Sequence, residues 1–372
     1  MDMAYRKENA LNAICPYFTM FPLEYPSRIL KRHRHRSPIV LDPFCGRGTT
    51  LFAARNLGLK AWGIDSSPVA VAIARAKLAE CDVVEILNLA ERLISRVVPK
   101  EIPTAQFFRS AYRLKTLTQL CALREGLMNL KSDTDSVAIL RAAALGCLHG
   151  PLSKQISEAG YFSNQMPRTY ASKPKYAVCY WRKHRLSAPR VDVITVLERK
   201  ISRFVSLSSQ SSNSIKNVIC GDSQTKLPYK CISQKTGIVI TSPPYYGMRT
   251  YVQDQWLRNW FLGGPAEVDY SPGTQLEHTG RNGFVKSLGR VWAHVAGSKA
   301  DELDMYVRFG MIPSAKADAK QLFRSSLESS GVSWREISVR SAQTASKGRR
   351  QAGQMQANSE PAVEYDFHVV RR

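Results

Sequence analysis

The sequence predicts an α/β protein whose seven-stranded sheet is interrupted by a largely helical insertion. Three observations predict it. Two short β-branched runs, Ile39-Val40-Leu41 and Ile238-Val239-Ile240, each give way abruptly to turn residues, as buried strands do. Further apolar runs complete a set of expected strands at 39–44, 59–65, 217–222, 237–242, 304–312, 332–340 and 364–370. Between the second and third of these, apolar residues recur at helical spacing from Val83 to Val97, then over 105–130, 135–149 and 191–205, with Asp135 as an expected cap.

The first strand runs into Asp42-Pro43-Phe44-Cys45-Gly46-Arg47-Gly48-Thr49-Thr50. Gly46 and Gly48 permit a tight turn and a close approach of a ligand to the backbone. Thr49 and Thr50 open a helix whose free N–H groups favour an anionic group. A dinucleotide fingerprint wants a third glycine where Leu51 stands, which disfavours a nicotinamide ligand. Asp65 ends the second strand roughly 20 residues after the first glycine, the spacing of an acid that accepts from a ribose diol. It also suits a cap, because Ser66, Ser67 and Pro68 lead into a helix. Asp222 ends the third strand, where it suits either a ligand contact or a turn.

The fourth strand ends in Thr241-Ser242-Pro243-Pro244-Tyr245. Two prolines end sheet pairing and hold the chain extended. Ser242 and Tyr245 are thereby presented at a strand's carboxyl end, where open α/β sheets bind ligands. The Ser242 oxygen and a carbonyl beside Pro243 can accept the two hydrogens of a planar amine, and Tyr245 can stack on the ring that carries it.

Composition narrows the partner. Of 372 residues, 44% are hydrophobic and 22% charged, ordinary for a globular protein, but the formal net charge is +23. Such a balance implies a polyanionic partner, either nucleic acid or an anionic surface, with nucleic acid the simplest reading. No apolar run approaches the ~20 residues of a membrane span, and the first residues lack a signal-peptide core, so a cytoplasmic protein is expected. The eight cysteines form no CxxC pair and signal no metal site; most are expected to be reduced core thiols.

Basic, aromatic and amide side chains interleave over 151–190, including Asn164, Gln165, Arg168, Tyr170, Tyr176, Trp181, Lys183 and Arg185. That mixture suits phosphate contact, stacking and base-edge readout, or else a solvated loop. A second polar and aromatic stretch follows the fourth strand, with Arg249, Tyr251, Trp256, Arg258 and Trp260.

The two strand-end segments resemble motifs I and IV of the amino-methyltransferases that modify DNA bases, motif IV in the Ser-Pro-Pro-Tyr form of the cytosine-N4 enzymes. The resemblance covers roughly 10–80 and 215–370. It implies the class I, Rossmann-like methyltransferase sheet, with S-adenosylmethionine as cofactor and duplex DNA as substrate. It also allows a cognate restriction endonuclease as partner. Phe21, in a Phe-Pro segment like motif X, would lie over the cofactor. Asp42 would face the methionine ammonium, Phe44, Gly46, Gly48, Thr49 and Thr50 would wrap the amino-acid end, Asp65 would hold the ribose and Asp222 the adenosine moiety. Ser242, Pro243, Pro244 and Tyr245 would be catalytic, acting on a flipped-out base. Arg168, Tyr170, Lys183, Arg185, Arg249 and Tyr251 are the candidate DNA contacts. No Pro-Cys dipeptide occurs, against a cytosine carbon-5 enzyme. The expected division is a methyltransferase domain from 1–81 and 215–372 around an insertion at 82–214. The large insertion between the second and third strands departs from the family pattern; the alpha group of the family places its recognition segment later, just before motif IV. Adenine N6 methylation, an RNA amine methyltransferase and a non-catalytic DNA-binding relative are the alternatives.

Overall fold

The computed structural model describes residues 14–17, 22–150, 160–166, 173–205, 214–232, 235–247, 252–270, 276, 280–297, 302–311, 317–342 and 363–371. In chain order its elements are α1 (Glu24–His33), β1 (Ile39–Asp42), α2 (Thr49–Asn56), β2 (Ala61–Asp65), α3 (Pro68–Leu78), α4 (Val83–Arg96), α5 (Gln106–Ala111), α6 (Leu114–Met128) and α7 (Asp135–Cys147). Then come α8 (Pro174–Lys183), α9 (Val193–Val205), β3 (Val218–Cys220), β4 (Thr236–Thr241), α10 (Trp256–Phe261), α11 (Arg281–Ala296), β5 (Leu303–Met311), α12 (Ala319–Ser329), β6 (Arg335–Ala342) and β7 (Val363–Arg371). Short helical turns at Ile215–Asn217 and Leu227–Lys230 flank β3.

The chain groups into two compact units. The first, from Phe18–Ala74, Ser211–Thr250 and Pro272–Arg372, holds the sheet. Its strand order is β3-β2-β1-β4-β5-β7-β6. The strands from β3 to β5 are parallel, and β7 runs antiparallel between β5 and β6. This order, with its reversed last strand, is that of the class I methyltransferase sheet. The order turns back between β1 and β4, so the carboxyl ends of these neighbours form the switch point where α/β sheets bind ligands.

Period-two alternation gives β5 two different faces. Leu303, Met305, Val307 and Phe309 join Phe284, Leu288, Trp292 and Phe323 in the buried core. Asp304, Tyr306 and Arg308 lie on the other face. Arg308 makes a two-pronged ion pair to Asp366 at 2.7 and 2.8 Å, and its guanidinium lies 4.2 Å from the ring centre of Tyr25 on α1. Asp304 accepts from Arg36 at 2.7 Å and bonds His368 at 2.8 Å.

The second unit, from Met1–Tyr17, Arg75–Gln210 and Tyr251–Ser271, is helical. The single helix expected over 105–130 is two, because Tyr112 and Arg113 are extended. The break buries Tyr112 and lets its hydroxyl donate to Leu148 O at 2.9 Å. The cap of α7 is Thr134, not Asp135: Thr134 has the extended backbone that a cap needs, and its Oγ1 accepts from Val137 N at 3.3 Å. Asp135 instead accepts from Glu80 N at 2.8 Å.

Several side chains of the two polar and aromatic stretches form this unit's core. Phe162, Trp181, Trp256, Trp260 and Phe261 are buried, with Phe107 5.5 Å from Trp181 and 4.7 Å from Trp256 between ring centres. Arg258 is also buried, donating to Pro16 O at 2.6 Å and Gln255 Oε1 at 2.8 Å. Asn164 donates to Leu186 O at 3.2 Å. Aromatic rings at helical spacing went into packing, where they remove the most surface from water. Of the cysteines, Cys15, Cys45, Cys121 and Cys147 are buried, while Cys179, Cys220 and Cys231 are exposed. Among the described residues no helix is long and apolar enough to cross a membrane, and no cluster of His, Cys, Asp or Glu could hold a metal ion.

Candidate active site

The turn after β1 is built on two carboxylates. Asp42 is only 1% exposed. It accepts from Phe44 N at 3.1 Å and from Thr241 Oγ1, at the end of β4, at 2.6 Å. Burial pushes its carboxyl up to about 6, against the pull of the hydrogen bonds from Thr241 and Phe44. Thr50 Oγ1 lies 3.1 Å from Ile240 O, to which it donates. The first turn of α2 and the turn after β1 are thus both tied to the end of β4.

Asp65 accepts from Gly46 N with one oxygen and from Ser67 N with the other, each at 2.8 Å. It therefore supports the glycine turn and the entry to α3 together. Burial raises its carboxyl too, opposed by the bonds from Ser67 and Gly46. Gly46 has φ +50°, and a Cβ added there would meet nothing within 4 Å, so this part of the turn faces open space. Gly48, at φ +75°, is needed for a different reason: a Cβ would come within 2.9 Å of the Cβ of Ala74. Thr49 is buried at the start of α2. The Phe44 ring stands edge-on to Trp292 at 6.4 Å. Asp222, just beyond β3, accepts from Gln224 N at 2.9 Å, and the Gln224 Oε1 accepts from Arg290 at 2.7 Å.

At the end of β4 the chain leaves the sheet through Ser242, Pro243, Pro244 and Tyr245. The Tyr245 hydroxyl donates to Glu364 Oε1 of β7 at 2.5 Å. Burial, and then the negative charge of Glu364, push the Tyr245 phenol far above its ordinary range. The ring meets Phe309 edge-on at 6.4 Å, and Tyr246 meets Phe284 at 5.3 Å.

The structure thus brings Asp42, Phe44, Gly46, Gly48, Thr49, Thr50 and Asp65 together around one turn, and ties that turn to the strand that presents Ser242 to Tyr245. Asp222 lies beyond the end of β3, which pairs with β2. Phe21, Arg168, Tyr170, Arg249 and Tyr251 lie outside the described residues. Lys183 and Arg185 are exposed at the end of α8 in the helical unit, beside exposed Lys175, Arg182 and His184 and with Tyr176 53% exposed. Sequence reasoning missed Thr241, Arg308, Glu364 and Asp366. The alternation Glu364-x-Asp366-x-His368 in the last strand is the one signal that could have found the last two.

The site's chemistry admits a cationic nucleoside. Carboxylates near the carboxyl ends of three neighbouring strands offer acceptors to an ammonium and to ribose hydroxyls, and they repel phosphate. Of the residues implied to hold S-adenosylmethionine, Asp65 keeps acceptor capacity beyond its two backbone bonds, because a carboxylate has about four lone-pair positions. Gly46 leaves the space a ligand needs.

Residues 3–76 match a family model described as DNA methylase. A stretch of 97 residues is 32% identical to the Type II methyltransferase M.MjaII of Methanocaldococcus jannaschii. The match covers 26% of this chain and 18% of that protein. Two structures of the rRNA methyltransferase aviRa from Streptomyces viridochromogenes align over 97% of this chain and 92% of theirs, at 11% and 10% identity. Their TM-score of 0.33 is too low to bear on fold or substrate.

Proposed function

We propose that this protein is an S-adenosylmethionine-dependent methyltransferase acting on the exocyclic N4 amine of cytosine in duplex DNA. The observation that carries the reading is the hydrogen bond from Thr241 to Asp42. It fastens the cofactor-type turn to the amine-type edge at the switch point of a methyltransferase sheet. The match of residues 3–76 to the DNA methylase model and the net charge of +23 support DNA as the substrate.

S-adenosylmethionine, when bound, supplies an activated methyl group. Asp65 and the turn at Gly46 to Thr50 hold it, with Asp42 bracing that turn and Asp222 beside the adenosine moiety. A duplex base is inaccessible, so the target is extruded. Tyr245 stacks on it. Ser242 and the carbonyl next to Pro243 accept its amine hydrogens and direct its lone pair. The rate comes chiefly from orientation in a site shielded from water, with no covalent enzyme intermediate. The exposed basic face of α8 supplies phosphate contacts. Serine at position 242 favours cytosine over adenine. Nucleoside mass spectrometry of DNA from a host expressing the chain tests the base. The expected product is N4-methylcytosine; N6-methyladenine alone would overturn the choice of base, and neither would count against the activity.

A further inference from the structure

The carboxyl edge of the sheet carries Asp42, Asp65 and Asp222, but the opposite edge, where the parallel strands begin, carries cations. Lys216 stands two residues before β3, Lys60 immediately before β2 and Lys235 immediately before β4. α1 ends near Lys31 and Arg32, and Arg34 follows in the turn that leads to β1. All six are exposed, although they come from four separate stretches of sequence. We propose that this amino edge is a second phosphate-binding surface, which takes a stretch of nucleic-acid backbone other than the one at the site.

Strand pairing makes the cations a row. Val40 lies beside Ala61, Ile39 beside Thr236 and Gly63 beside Val218, so the four strands begin at nearly one level. Neighbouring strands are about 4.8 Å apart, so four of them span roughly 15 Å. Phosphates recur roughly every 3.4 Å of duplex axis on each DNA strand, so a row of that length faces several of them. Among the described residues none of the six cations pairs with a carboxylate, and no carboxylate lies in 31–38, 57–60, 214–217 or at 235. The acids next along the sheet are Glu302 and Asp304 at β5, and both face Arg36. A lipid surface also attracts cations, but binding to it draws on apolar side chains set among them. Here the neighbouring Leu30, Leu59 and Ile215 are buried. Duplex DNA is stiff over about 150 base pairs, so a straight duplex held at the carboxyl edge does not also lie along the amino edge. The row therefore takes a distant part of the same molecule or a second one.

The test compares the parent with a variant carrying Lys60→Gln, Lys216→Gln and Lys235→Gln. In sedimentation with a short mixed-sequence duplex, the variant should bind one duplex fewer than the parent. With long DNA, its slope of log affinity against log salt should be shallower by about 2.7, at roughly 0.9 per contact. Lys60→Arg, Lys216→Arg and Lys235→Arg together should keep both readouts at the parent's values, because arginine also contacts phosphate. An equal stoichiometry or an equal slope in the glutamine variant would overturn the surface. So would a loss confined to vesicles of phosphatidylserine and phosphatidylcholine, which would make a lipid headgroup the occupant. Methyl transfer to the short duplex should not change; a fall matching the loss of binding would move these lysines to the active site and overturn a separate surface. A parent chain that methylates nothing would overturn the proposed activity, while the two binding readouts still decide this surface.

Discussion

Thr241 and Asp42 stand at the carboxyl ends of adjacent strands, and the hydroxyl of the first donates to the buried carboxylate of the second at 2.6 Å. This bond joins two segments 199 residues apart in sequence. Thr241→Val keeps the side-chain shape and removes the donor. A buried acceptor left short of a partner costs about 1–3 kcal/mol. Urea unfolding above pH 7 should show a loss of that size.

Asp42 also gives stability a pH dependence of defined sign. Burial lifts its folded carboxyl from the ordinary 3.8 to about 6. Between those values the folded chain holds a proton that the unfolded chain has lost, so this group's contribution falls as pH rises and levels off above about 6. Asp42→Asn lacks the group. The difference in unfolding free energy, parent minus variant, should decline from pH 4 to 6 and then stay flat. A difference that rises over the same interval would contradict the assignment.

Most of the sheet was legible in the sequence, because a buried parallel strand is a short β-branched run with a turn at its end. Both glycine positions and the Ser-Pro-Pro-Tyr edge could be read for the same reason: glycine and proline mark backbone geometry directly. Contacts across the sheet could not be read. Nothing near Tyr245 in sequence points to Glu364, 119 residues on. Composition misled in the helical unit, where Trp181, Trp256 and Trp260 have a polar neighbourhood in sequence and a buried one in space.

Asp65→Ala removes the acceptor for Gly46 N and Ser67 N as well as the proposed ribose contact. Calorimetric titration with S-adenosylmethionine should show at least a tenfold loss of affinity, since hydrogen bonds to charged groups are worth about 1.5–3 kcal/mol each. DNA binding should survive. Unchanged cofactor affinity in the folded variant would return Asp65 to a purely structural role.

Lys183 and Arg185 are exposed, and Arg185 has φ +50°, so the variant that spares the backbone is Lys183→Gln with Arg185→Asn. If both contact phosphates, the slope of log affinity for DNA against log salt should become shallower by about 1.8, at roughly 0.9 per contact. An unchanged slope would place the DNA face elsewhere.

Transfer of a methyl group to a DNA base amine is read by incubating the protein with tritiated S-adenosylmethionine and duplex DNA of mixed sequence, then separating the digested nucleosides. Label is expected in the DNA, migrating with N4-methylcytosine. Absence of label from duplex DNA of every sequence tried, with label entering tRNA or nothing at all, would contradict that transfer.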